Sequence, residues 1–389
     1  MSQLRKGLPS AKVPHGQNES LEAAGQPNCV FPKRITFLAG TLGQGGAERQ
    51  LFYILQTLRQ NQVQLRLLCL TQHEFWESRI QDLGVPVTWV GQSPSRLLRL
   101  RRIISELRKE RPDVLQSQHF YTNLYVAAAA RLLGIREIGA VRNNVISEIG
   151  DGGRLLGGWS LRAPRTLAAN SRAALQTAVA LGVPTARGYL LPNVVDTDRF
   201  KPGTKAESGC CRIVAIGRLV EQKRFDRFIR ILAQVREKSS SPVQGILIGT
   251  GPLREQLEKQ AAGLGFSPET LEFRGEVPDL APVYREADIL ALTSDWEGTP
   301  NVVLEAMASG LAVVATKAGG VADIVQHGQT GFLAEPADEK FLVETLLQLV
   351  TQPGLRKQTG AQARAHVETH HSIKCLPHFL DGLYKMTLA

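Results

Sequence analysis

Long apolar runs and paired cysteines are both missing from this chain. No stretch of eighteen consecutive apolar residues occurs, which excludes a membrane-spanning helix of ordinary length, and the N-terminus lacks the apolar core of a secretory signal. The expectation is a cytoplasmic protein. Cys29, Cys69, Cys210, Cys211 and Cys375 are an odd count without Cys-x-x-Cys spacing, so neither a disulfide framework nor a zinc site is indicated. His366 and His370 lie four apart in HVETH, but this is not HExxH and no third ligand follows, so the pair reads as a solvated helix face. Charge of one sign is also short: 36 Asp and Glu stand against 46 Lys and Arg, a formal net charge of +10. That balance favours anionic partners such as nucleotide sugars, anionic lipid surfaces or nucleic acid, without choosing among them.

With 389 residues, 43% hydrophobic content, 36 Gly and 20 Pro, the chain has the makings of two α/β domains with many short loops. Residues 1–32 are rich in Gly, Pro, Ser, Gln and Lys without an apolar period and read as a mobile tail. The fold is expected to begin at Arg34. Strand-like runs follow at 35–38, 64–70, 85–90, 112–117, 138–142 and 166–170, with helical spacing between them; Ser171 is a candidate helix cap. The helix predicted over SRLLRLRRIISELRKE places Leu97, Leu100, Ile104 and Leu107 on one face. Arg96, Arg99, Arg101, Arg102, Arg108 and Lys109 back it, either as a solvated face or as a patch for anionic lipid. Asp196-x-Asp198 precedes Arg-Phe-x-Pro in a linker rather than ending a buried strand, which argues against a metal-binding DxD pair.

Beyond the spacer at 201–209, four units repeat one scheme, an apolar strand running into a polar, glycine-bearing loop: RIVAIGRL, GILIGTGPL, DILALTSDWEGT and AVVATKAGG. Alternating strands and helices make a parallel sheet, and such sheets bind ligands beyond the carboxyl ends of their strands. The third unit is the richest. Its apolar run 289–292 leads into a turn at Gly298, Thr299 and Pro300, with Thr299 as expected cap and Pro300 as expected first helical residue. Asn301 and Glu305 then share a helix face, and the N–H groups at the helix mouth form an anion site. Glu297 and Glu305 flank that mouth; neither suits phosphate, so both are candidates for reading hydroxyls.

The Glu297-x7-Glu305 spacing within EGTPNVVLEAMASG closely resembles the EX7E motif of the retaining glycosyltransferases of family 4. G-R-L-x-x-x-K at 217–223 and the GGAE loop at 45–48 also resemble that family, and the likeness runs from about Arg34 to the C-terminus. It implies a GT-B fold: two Rossmann-like parallel-sheet domains facing each other across a cleft. The implied division is an acceptor-side domain at 33–195, a linker at 196–209, a nucleotide-sugar-binding domain at 210–370, and a helix at 371–389 returning to the first domain. It also implies roles. Glu297 contacts the donor sugar's hydroxyls and Glu305 the ribose. The loop from Gly298 through Thr299, Pro300 and Asn301 to Val302 holds sugar and phosphate. Arg218 and Lys223 clamp the diphosphate and stabilise the leaving nucleotide. Gly45 and Gly46 meet the distal phosphate, Gly249 lines the second loop, and Arg274 lies near the base. Where many members carry His-x-His, this chain has Gln116-Ser117-Gln118 with His119 displaced by one, so Gln118 and His119 are both candidates to face the sugar's C1.

The implied activity is metal-independent, cofactor-free, retaining transfer of a hexose from a nucleotide sugar, UDP-linked, to a glycan or lipid-linked glycan in cell-envelope polysaccharide biosynthesis. No nucleic-acid partner is expected, and a peripheral position at the inner membrane face is a second expectation. The alternatives are a GT-B epimerase, a glycogen-type transferase, or a non-catalytic nucleotide- or nucleic-acid-binding module. The last gives no reason for carboxylates beside a phosphate loop.

Overall fold

A computed structural model describes residues 29–151, 153–203 and 209–389. It divides into two compact units, Met1–Asn193 with Lys374–Ala389, and Val194–Ile373. Most of the expected tail, and 204–208 of the linker, lie outside the described residues. The anchored chain reaches back before Arg34, because Val30 N–H donates to Asp381 Oδ1 at 2.9 Å and the Phe31 ring meets Tyr384 edge-on at 6.2 Å.

In the first unit β1 (Arg34–Ala39), β2 (Gln64–Cys69), β3 (Val87–Trp89), β4 (Val114–Ser117), β5 (Arg136–Val141), β6 (Thr166–Ala169) and β7 (Gly188–Leu190) form one sheet of order 3-2-1-4-5-6-7. Every pairing is parallel. Six of these strands follow from their apolar runs. β7 did not stand out because it is a three-residue edge strand, and an edge needs less apolar sequence than a strand covered on both faces. Helix Gly46–Gln60 buries Leu51, Ile54, Leu55 and Leu58 as its spacing predicts, and Ser171 caps its helix by accepting from Ala174 N–H at 3.1 Å. Helix Arg96–Lys109 departs from expectation at its first turn. Ile103 and Leu107 are buried and Leu100 and Ile104 pack on the core, but Leu97 is 73% and Leu98 51% exposed. The core-facing stripe therefore starts a turn later than the leucine spacing suggests.

The second unit contains β8 (Cys211–Ile216), β9 (Val243–Ile248), β10 (Leu271–Gly275), β11 (Ile289–Leu292), β12 (Ala312–Thr316) and β13 (Phe332–Ala334), parallel throughout, in the order 10-9-8-11-12-13. The four strands expected from sequence are the four central ones. The two edges escaped because β10 carries Glu272 and Arg274 with a register shift after Phe273, and β13 is only three residues long. Helix Asn301–Ala308 is packed against this sheet with Val303, Leu304, Ala306, Met307 and Ala308 all buried, which explains why its sequence is apolar nearly all round. Its cap position is Pro300, at φ −74° and ψ 115°, not Thr299. Proline's fixed φ satisfies the extended cap geometry as well as it would the first helical position.

Candidate functional site

Because β8, β9, β11 and β12 are neighbours and parallel, their following loops gather at one edge of the second unit's sheet. The backbone packing there is close enough to require glycine. At Gly249, φ +136°, a Cβ would stand 1.9 Å from Gly217 O; at Gly319, φ +57°, it would stand 2.0 Å from Glu297 O. Gly320 N–H also donates to Gly298 O at 2.8 Å, so the loop after β12 supports the loop after β11.

The side chains meet on this frame. Lys223 Nζ donates to Glu297 Oε1 at 2.6 Å, and Ser294 Oγ donates to the same oxygen at 2.6 Å. The Lys223 and Glu297 side chains are 16% and 7% exposed, which makes this a largely desolvated ion pair. Arg218 lies on the same loop as Lys223 but is exposed, and its side chain makes no hydrogen bond or ion pair among the described residues. Glu305 is buried and accepts from Tyr284 Oη–H at 3.0 Å; Tyr284 is itself fully buried against Phe200. Gly298, Thr299 and Pro300 are buried, while Asn301 and Val302 are half-buried at the start of the helix.

Arg274 and Asp196, both weighed in the sequence, have side-chain partners of their own. Arg274 is held by Glu272 at 2.8 Å and by Glu286, and these hydrogen bonds push its pKa above the ordinary arginine value. Asp196 Oδ1 accepts the N–H groups of Asp198 and Arg199 at 3.0 Å, a local turn that accounts for its place in the linker. The helix carrying HVETH is less solvated than expected: His366 is half-buried, stacks on His370 at 4.5 Å, and is lowered by burial and by His370 to a pKa of about 4.

In the first unit Gly45 is the cap of helix Gly46–Gln60. A Cβ on Gly45 would fall 2.1 Å from Glu48 Oε2, so the loop closes tightly over that carboxylate. Gln118 is fully buried and donates from Nε2 to Ala47 O at 2.6 Å. His119 Nδ1 accepts from Gly40 N–H at 3.0 Å, which leaves the ring proton on Nε2, 3.2 Å from Glu48 Oε1. The imidazole also stacks on Tyr121 at 5.4 Å. Gln118 is thus tied to the first turn of helix Gly46–Gln60, and His119 to that turn and to the loop after β1.

Two family profiles match this chain, "Glycosyltransferase Family 4" over residues 44–199 and "Glycosyl transferases group 1" over 210–352. The chain belongs to glycosyltransferase family 4. Among relatives of this family 4 chain, the sulfoquinovosyl transferase SQD2 of Arabidopsis thaliana is 27% identical over 321 residues, 76% of this chain and 61% of its own length. The GDP-mannose-dependent alpha-(1-6)-phosphatidylinositol monomannoside mannosyltransferase of Mycolicibacterium smegmatis is 30% identical over 198 residues, 46% of this chain and 52% of its own. The chain therefore spans between about half and three fifths of these relatives. The solved structure of Anabaena Alr3699/HepE in complex with UDP superposes with a TM-score of 0.80 at 20% identity, covering 90% of this chain and 99% of that one. That likeness, with the two parallel-sheet units, gives the family 4 chain the GT-B fold.

Sequence reasoning passed over several groups that contact the candidate residues within each unit. Glu48 belongs to the quoted GGAE loop, where only the glycines drew notice, yet its carboxylate is the partner of His119. Ser294 sits three residues before Glu297 and shares its Oε1. Tyr284 is 21 residues from Glu305, and no local spacing points to it.

Proposed function

We propose that this family 4 chain is a retaining glycosyltransferase that moves a sugar from a UDP-linked donor to a glycan or lipid-linked glycan acceptor without a metal ion. The observation that carries the reading is the desolvated Lys223–Glu297 pair beside the exposed, unpaired Arg218, at the carboxyl edge of the second unit's sheet. Cations set against the leaving diphosphate stabilise charge that grows as the C1–O bond breaks. Glu297, oriented by Lys223 and Ser294, accepts from the donor sugar's hydroxyls; Glu305, oriented by Tyr284, accepts from the ribose. In the proposed step the acceptor oxygen bonds to C1 on the face the diphosphate leaves, and the acceptor's proton passes to a donor phosphate oxygen. Bond made, bond broken and proton then balance without a covalent enzyme intermediate.

Lipid-linked acceptors are supported by the likeness to phosphatidylinositol monomannoside mannosyltransferases and to the lipopolysaccharide core biosynthesis mannosyltransferase LpcC of Rhizobium leguminosarum. For docking at an anionic membrane, Leu97 and Leu98 stand exposed beside Arg96, Arg101 and Arg102. No helix among the described residues is long and apolar enough to cross a membrane. A second reading of the donor, GDP-mannose, is favoured by the mycobacterial relatives' names. A thermal-shift panel of UDP-, GDP- and ADP-sugars decides between bases, followed by NMR of the product anomer. A UDP-sugar shift with a retained anomer is expected; an inverted anomer, or no shift with any donor, refutes the reading.

A further inference from the structure

The Lys223–Glu297 pair joins two loops whose residues are 74 apart in sequence, and the contacts between those loops go well beyond that pair. Asp295 N–H donates to Gln222 O at 2.9 Å, and Gln222 Nε2 donates to Trp296 O at 2.7 Å. Thr293 Oγ1 lies 3.1 Å from Lys223 O and 3.0 Å from Arg224 O. Two arginines then converge on one carboxylate: Arg224 Nη1 reaches Asp295 Oδ2 at 3.1 Å, and the buried Arg227 reaches Oδ1 at 2.8 Å while donating from Nη1 to Thr293 O at 2.7 Å. Asp295 is two residues before Glu297, and Arg224 directly follows Lys223.

The backbone at Arg224 makes this arrangement informative. Its φ of +51° lies in the left-handed region, where a non-glycine residue costs about 1 kcal/mol or more. The turn into helix Phe225–Lys238 would be easier with glycine. What holds arginine there is its side chain, which bridges Asp295 and Asp226, the latter at 3.0 Å and 3.1 Å. A turn needed only to start a helix has no use for that guanidinium.

We infer that Arg224, Arg227 and Asp295 form a positioning latch that fixes the Arg218–Lys223 loop against the Glu297 loop, so that cation and carboxylate keep their spacing while a donor is bound. The inference rests on the reading of Lys223 and Glu297 as donor-site residues. The three latch residues act through their neighbours and not by touching substrate. A misplacement of about 1 Å in such a site costs on the order of a hundredfold in rate.

The test compares wild type with Arg224→Gly, which removes the guanidinium while relaxing the backbone, and with Asp295→Asn and Asp295→Glu. Three quantities are read on the full chain: thermal midpoint, kcat and donor KM for transfer, and amide hydrogen exchange over 293–297. The latch predicts that Arg224→Gly keeps its thermal midpoint within about 2 °C or raises it, loses at least tenfold in kcat with donor KM within about threefold, and exchanges faster over 293–297. Asp295→Asn is expected to follow it in kcat and exchange, and Asp295→Glu to recover part of both. Unchanged kcat in Arg224→Gly overturns the latch whatever the exchange shows, and so does lowered kcat with unchanged exchange. If the wild type transfers no sugar from any donor, the proposed function fails and the catalytic role of the latch fails with it. If the wild type is active and the variants match it, only the latch falls.

Discussion

Removing Lys223 and removing Arg218 are expected to have the same effect on turnover and very unequal effects on stability. Both cations are assigned to the leaving diphosphate, so Lys223→Ala and Arg218→Ala should each slow turnover by about a hundredfold, near 2.7 kcal/mol of lost transition-state stabilisation. Arg218 is exposed with no partner among the described residues, and a substitution of that kind changes stability by about 0.5 kcal/mol at most. Lys223 is different. Its ammonium lies 2.6 Å from a carboxylate that is 7% exposed, and stripping one partner from a buried pair costs roughly 3–5 kcal/mol. Ser294 still donates to Glu297, which places the cost near the lower figure. At roughly 2–4 °C per kcal/mol for a domain of this size, the second unit's melting midpoint should fall by about 6–12 °C in Lys223→Ala and by no more than about 2 °C in Arg218→Ala. Calorimetry and a nucleotide-release assay on the purified chain measure both. The double variant Lys223→Ala with Glu297→Gln should regain stability without regaining turnover, because it removes the uncompensated charge and restores no cation. Equal midpoints for the two single variants would refute the buried-pair reasoning, and normal turnover in both would remove the phosphate-clamp assignment.

Chelation with EDTA should leave turnover unchanged, since both proposed counter-charges are side chains; complete loss restored by Mn²⁺ would overturn metal independence. The wild type should co-sediment with anionic vesicles at low salt and release at 1 M, where the Debye length is about 3 Å, and Leu97→Ser with Arg101→Ser and Arg102→Ser should abolish binding. Vesicle binding equal to wild type in that variant would assign the helix to sheet covering alone. His366, lowered from 6.5 to about 4, prefers to stay neutral in the fold. Its stabilising contribution is complete above pH 6.5 and is lost as pH falls towards 4, by about 1–2 kcal/mol after allowance for its partial exposure. Thermal midpoints of His366→Gln should therefore depend less on pH over that window than those of wild type.

The sequence alone determined the central strands and the class of fold, because strands buried on both faces must be written as continuous apolar runs. The runs at 212–216, 245–248, 289–292 and 312–316 are all central strands in the structure. It also determined which loops hold the candidate chemistry, since Arg218, Lys223, Glu297 and Glu305 sit at fixed offsets from those strands. The edge strands β7 and β13 were illegible because three residues with one neighbour need no such run, whereas β3, an edge of the same length, was marked by the apolar residues flanking it at Val85 and Val90. Only the tertiary structure decided which side chains meet. Lys223 finds Glu297 across 74 residues, Tyr384 donates to Gln116 at 2.8 Å across 268, and His119 pairs with Glu48 across 71. These partners are set by strand order, 10-9-8-11-12-13 in one sheet and 3-2-1-4-5-6-7 in the other, and strand order is a property of the folded sheet that no local spacing records. The same holds for Leu97: helical spacing put it in the core, but packing left it exposed.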